Sequence, residues 1–150
     1  MARPRWQEDE GVQAWSALLR AHASALRLIE EDLQRAGGMP LSWYDVLLEL
    51  NAAVDGPLRM QDLGKRAVLS RTRVSRVVDD LEGAGLAVRT ADPVDGRCVL
   101  ASITAAGRGA LRRAAPGYLA AVRRHFAGRL TTDQVRAVRD AMEVVLADPR

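Results

Sequence analysis

The chain has few of the residues from which small stapled or catalytic domains are built. Its single cysteine, Cys98, excludes an intrachain disulfide and a cysteine-rich zinc site. Its two histidines stand without a close group of carboxylates, so no metal-ligand set is readable. Aromatic residues make up 4% of the chain, too few to line a large aromatic pocket. No apolar run approaches the roughly 18–20 residues of a membrane span, and the opening MARPRWQEDE has no signal-like apolar core. There is no glycine-rich phosphate loop and no nucleophile–base pairing along the sequence. These absences argue against an enzyme and leave a cytoplasmic, mostly helical protein with no cofactor implied, no catalytic or metal residue to name and no membrane partner.

What is present fits one soluble domain. The 150 residues match a prior of roughly 100–200 residues per domain, and 48% apolar with 27% charged residues is ordinary globular composition. Basic residues outnumber acidic ones by 22 to 19, a net +3, and all but one of the 22 are arginine. So small an excess says little about partners, and its distribution says more. Between Lys65 and Arg76 the chain carries Lys65, Arg66, Arg71, Arg73 and Arg76 with no acidic residue among them.

Apolar periodicity predicts the elements. Val12, Trp15, Leu18, Leu19, His22, Leu26, Ile29 and Leu33 recur at three- and four-residue steps, the stripe of a long amphipathic helix ended at Gly37-Gly38-Met39-Pro40. A second helix is expected to open at Ser42, paired with Asp45 as a cap, and to stop at Asp55-Gly56-Pro57. Leu58 to Arg66 reads as a short helix with Leu63 inward. After the connector Ala67-Val68-Leu69, Ser70 caps a helix whose Val74, Val77, Val78 and Leu81 share one face, closed by Gly83 and Gly85. Two short helices joined by a tight turn form a helix-turn-helix pattern. Leu86–Thr90 and Cys98–Ile103 then read as strands of a hairpin, a wing, around the turn from Ala91 to Arg97. Thr104 caps a further helix containing Pro116, and Thr131 with Gln134 forms a capping box for the last one. The apolar stripes of the end helices exceed what one small core readily covers; pairing with a second copy would bury them, the alternative being that they pack within one monomer.

Residues Leu69–Ala87 resemble the recognition helix and its exit in MarR-family transcription regulators. The segment Asp92-Pro93-Val94-Asp95-Gly96-Arg97, followed by a strand and Thr104-Ala105-Ala106-Gly107, resembles that family's wing and the start of its next helix. The resemblance runs from the first long helix to the last. It implies a mainly α fold with a small two-stranded wing: a single domain over 1–150, with a winged helix-turn-helix core at about 42–103 between dimerisation helices at about 10–36 and 104–148. It also implies a homodimer on pseudo-palindromic double-stranded DNA, often repressing transcription until a small-molecule effector or oxidant releases it.

With the valine face turned inward, the opposite face of the Ser70–Leu81 helix displays Thr72, Ser75, Arg76 and Asp79. Arginine bonds guanine bidentately in the major groove, and serine or threonine contacts several base edges. Thr72, Ser75 and Arg76 are therefore the expected base readers, with Arg71 and Arg73 on phosphate or bases and Ser70 at a phosphate-friendly helix N-terminus. A competing role for Arg76 is a pair with Asp79 or Asp80 at helical spacing. By resemblance, Arg97 enters the minor groove with Asp95 bracing it and shaping the turn, the bland alternative being a solvated hairpin arginine. Arg89 is left between phosphate contact and solvation. Cys98 reads as a buried, inert thiol, His125 as a capping or surface residue, Trp15 and Trp43 as core residues or weak effector contacts, and His22 as a core or interface histidine or a weak effector contact. The functional alternatives are a winged-helix interaction module for protein or ligand, and a small all-α enzyme.

Overall fold

The structure, a computed structural model, describes residues 8–36, 38–53 and 56–147. Gly37 and Asp55, expected in the breaks, lie outside the described residues, as do both chain ends. The element order is α1 (Glu10–Arg35), α2 (Leu41–Ala52), β1 (Leu58–Arg59), α3 (Met60–Arg66), α4 (Arg71–Gly83), β2 (Ala87–Ala91), β3 (Val99–Ile103), α5 (Ala105–His125), a 3₁₀ turn at Ala127–Arg129, and α6 (Thr132–Ala147). Helices with a small antiparallel sheet are the expected class; the sheet has three strands rather than two, in the order β1-β3-β2. Leu58 and Arg59, expected at the head of a helix, pair with Ala101 and Leu100 of β3. This pairing satisfies main-chain groups on the free edge of β3, and two residues are too few to show a strand's alternation.

Caps explain most of the boundaries. Ser70 Oγ accepts the N–H of Arg73 at 3.2 Å, opening α4. Thr104 Oγ1 accepts the N–H of Gly107 at 3.0 Å. Thr131 and Gln134 exchange bonds of 2.9 and 3.2 Å at the start of α6. The Ser42–Asp45 cap does not form: α2 opens one residue earlier, after an extended Pro40 with no side-chain cap. Leu41 is thereby buried in the first turn, and burial of a leucine outweighs one exposed cap. Pro116 sits inside α5, which continues through it to His125.

The chain divides into a central unit, Leu33–Gly117, and a terminal unit made of residues up to Asp32 and from Tyr118 onward. The central unit holds most of the buried apolar residues: Val46 and Leu47 of α2, Leu63 of α3, and Val74, Val78 and Leu81 of α4 are all essentially inaccessible. At roughly 1.5–3 kcal/mol per fully buried apolar side chain, this face of α4 anchors it firmly. Gly64 allows the close approach of α3 and α4, since a Cβ there would lie 3.3 Å from both the Leu69 carbonyl oxygen and Val74 Cγ1. In the terminal unit, His125 Nε2 and Asp32 Oδ2 lie 2.8 Å apart, joined by Arg124 Nη1 at 3.0 Å. His125 is largely buried, not the surface or capping residue expected, because this pairing draws it inward.

Candidate nucleic-acid interface

With its valines and Leu81 inside, α4 turns Arg71, Thr72, Arg73 and Arg76 fully outward, while Ser75 is half-buried. Ser70 is exposed at the N-cap, so the first turn combines unpaired backbone N–H groups with four cationic or hydroxyl side chains. Arg76 has no ion pair with Asp79 or Asp80 among the described residues, and Asp79 is engaged elsewhere. The acidic half of α4 is thus drawn away from its basic half.

The residue that does this is Arg89 of β2. Its backbone N–H donates to Glu82 Oε1 at 2.7 Å, and its Nη1 donates to Glu82 Oε2 at 2.8 Å and to Asp79 Oδ1. Its Nη2 donates to the Ser75 carbonyl oxygen at 2.9 Å and to Ser75 Oγ at 3.3 Å. The Arg89 side chain is only 20% exposed, so it is not the solvated arginine that was one of its two readings from sequence. Burial works against its charge, but the bonds to Asp79 and Glu82 outweigh burial and raise its pKa above the ordinary arginine value. The root of the wing is therefore clamped to the outer face of α4.

A second pair shapes the wing itself. Asp92 is buried; its Oδ1 accepts the N–H of Val94 at 2.9 Å and of Asp95 at 3.4 Å, and its Oδ2 accepts Arg59 Nη2 at 2.9 Å. The backbone bond from Val94 is the main cause that holds its carboxyl below the usual aspartate range, against the opposing effect of burial. Asp95 contributes through the main chain, accepting the N–H of Arg97 at 3.2 Å. The Arg97 guanidinium is exposed and has no ion pair with Asp95 among the described residues. Cys98 Sγ donates to Asp95 Oδ2 at 3.3 Å, which, with partial burial, pushes the thiol pKa up. Cys98 is half-buried rather than buried.

Between α3, α4 and the wing lies an open groove of about 800 Å³, with Lys65, Arg71, Ser75, Asp79, Arg89 and Arg97 on its walls. Its charge is cationic, since Asp79 is neutralised by Arg89. Of the three weak effector residues, Trp15 (60% exposed) and His22 are exposed in the terminal unit, and Trp43 is half-buried in the central unit. Trp15 and His22 are thus not core residues of this chain. Arg89, Asp92 and Arg59 were not singled out from sequence as supports. Their only signal there is an arginine on a predicted strand and an Asp-Pro at a turn, patterns shared by countless surface hairpins.

A helix-turn-helix whose second helix presents a cationic face beside a clamped three-stranded wing defines a winged-helix protein. Residues 37–97 match the MarR family model. The chain is 32% identical over 138 residues to an HTH-type transcriptional regulator, YkoM, of Bacillus subtilis, covering 89% of this chain and 87% of that protein. It is 34% identical to the MarR family regulator Sco3205 of Streptomyces coelicolor, solved in complex with DNA, with a TM-score of 0.79 over 91% of this chain and 90% of that one. It is 28% identical to CouR of Rhodococcus jostii, solved bound to p-coumaroyl-CoA, with a TM-score of 0.71 over 86% and 88% of the two chains. The chain belongs to the MarR family of transcriptional regulators.

Proposed function

We propose that this regulator acts in the cytoplasm as a homodimer on a pseudo-palindromic operator, each protomer setting α4 into a major groove, and that it represses transcription until a small ligand releases it. Thr72, Ser75 and Arg76 read bases, Ser70, Arg71 and Arg73 hold phosphates or adjoining bases, and Arg97 on the wing reaches the minor groove, with Asp95 supporting its turn. The observation that carries this reading is the outward Arg71, Thr72, Arg73 and Arg76 of α4, without ion pairs among the described residues, on a firmly anchored helix. A helix-turn-helix contacts base edges with the N-terminal residues of that helix. Supporting it are the MarR relative solved with DNA and, for the effector, the relative solved with a coenzyme A thioester. No helix among the described residues is long and apolar enough to cross a membrane.

The experiment compares Arg76→Ala with wild type on the protein's own upstream region and on unrelated DNA. Specific affinity falls by about 5- to 100-fold, as for a lost base contact, and non-specific affinity by much less. An equal loss on both DNAs would make Arg76 a backbone contact and remove it from the readout.

A further inference from the structure

Ser75 differs from Arg71, Thr72, Arg73 and Arg76 of α4 in that its side chain has a fixed partner. Arg89 Nη2 donates to its carbonyl oxygen at 2.9 Å and to its Oγ at 3.3 Å. The guanidinium cannot turn away easily, because Nη1 is held by Asp79 and Glu82. A hydroxyl has one proton and two lone pairs, whereas a guanidinium has donors only. The Ser75 proton must therefore point away from Arg89, and it meets no acceptor among the described residues. Ser75 also lines the open groove between α4 and the wing. An unconstrained serine contacts donor or acceptor base edges alike; here one lone pair is taken and the guanidinium's charge disfavours a further donor, so donation by the free proton is preferred.

We propose that Arg89 is a positioning residue that biases Ser75 toward hydrogen-bond donation, so that the base it meets is preferentially one that offers an acceptor. Guanine N7 or O6, adenine N7 and thymine O4 qualify, and cytosine, which presents only its N4 amino group, is disfavoured. This rests on the DNA-reading proposal above and adds a specificity rule to it. It also couples specificity to the wing, because the residue that sets the polarity of α4 belongs to β2.

The test begins with selection from a randomised duplex library by full-length wild type and Ser75→Ala. Analogue duplexes of the selected site then lose one groove atom at a time. The 7-deazapurines lack N7, 2-aminopurine lacks guanine O6, and 5-methyl-2-pyrimidinone lacks thymine O4. 2-Pyrimidinone lacks the cytosine amino group, and purine lacks that of adenine. The expected result is one acceptor atom per half-site whose removal weakens wild type about tenfold and leaves Ser75→Ala unchanged. In Arg89→Gln that sensitivity falls while the rest of the selected consensus persists. A sensitive amino group, no Ser75-dependent atom, or an Arg89→Gln variant that is folded and loses affinity equally at every position would overturn the proposal. Should Arg89→Gln not fold, the wild-type and Ser75→Ala arms still decide it. A wild type that enriches no sequence would instead overturn the DNA-reading proposal itself, which separates the two failures.

Discussion

Asp92 illustrates how one buried carboxylate can order a whole turn. It ties the N–H groups of Val94 and Asp95 and the guanidinium of Arg59, so strand β1 and the wing turn share one anchor. Its folded pKa is lowered, so the stability it contributes is complete above the ordinary aspartate range. That stability is lost as pH falls through the lowered value, below about pH 4. Asp92→Ala is therefore expected to melt at lower temperature than wild type at pH 7, the gap closing as thermal melts are repeated toward pH 2. Cys98 gives a chemical counterpart. Its thiol is kept protonated by Asp95 and by burial, and alkylation follows the thiolate. Iodoacetamide at pH 8 should modify Cys98 more slowly than free cysteine, and Asp95→Asn should speed the reaction; a wild-type rate at or above that of free cysteine would contradict the Asp95 bond. From sequence Cys98 reads as a buried, inert thiol in a strand; the structure places it one residue before β3 and half-buried. The carboxylate that holds it was assigned from sequence to the Arg97 side chain instead, since two residues of spacing cannot distinguish a guanidinium from the peptide N–H beside it.

The elements themselves were the most legible part, because α4 and the end helices carry strong periodicity and capping residues. What periodicity could not reach was pairing between distant short segments. Strand β1 has two residues, and its partner lies some forty residues further along the chain. The Arg89 clamp depends on β2 lying beside α4, which no local pattern encodes. Gly107 shows a similar long-range constraint on a helix start. A Cβ there would collide with the Leu86 carbonyl oxygen and lie 2.8 Å from Ile103 Cγ1. The first turn of α5 thus passes over the head of β2 with no room for a side chain. Gly107→Ala, which would stabilise an unpacked helix, is expected here to destabilise by about 1–3 kcal/mol in urea unfolding. A stabilised variant would mean that this contact relaxes without cost.

The terminal unit poses the opposite problem from the central one. Among its described residues Val12, Trp15, Leu19 and Leu26 of α1, Leu119 of α5, and Val144, Val145 and Leu146 of α6 are exposed, and α6 has no buried residue. Apolar surface on this scale is rarely left open in a monomeric protein, and burying it yields about 25 cal/mol per Å². A second copy is the occupant that the DNA proposal requires, because two recognition helices must meet half-sites about 34 Å apart. The double variant Leu19→Glu, Val145→Glu places charges on that face without touching the central core. It should sediment as a monomer at concentrations where wild type is a dimer. Its operator affinity should collapse, since a single α4 makes half the contacts. The salt dependence gives a sharper reading than affinity. The slope of log K against log salt is about −0.9 per phosphate neutralised, so a monomer with half the phosphate contacts should show about half the wild-type slope. A monomeric wild type, or a monomeric variant with an undiminished slope, would mean that one protomer makes all the phosphate contacts and that the exposed stripes serve another purpose.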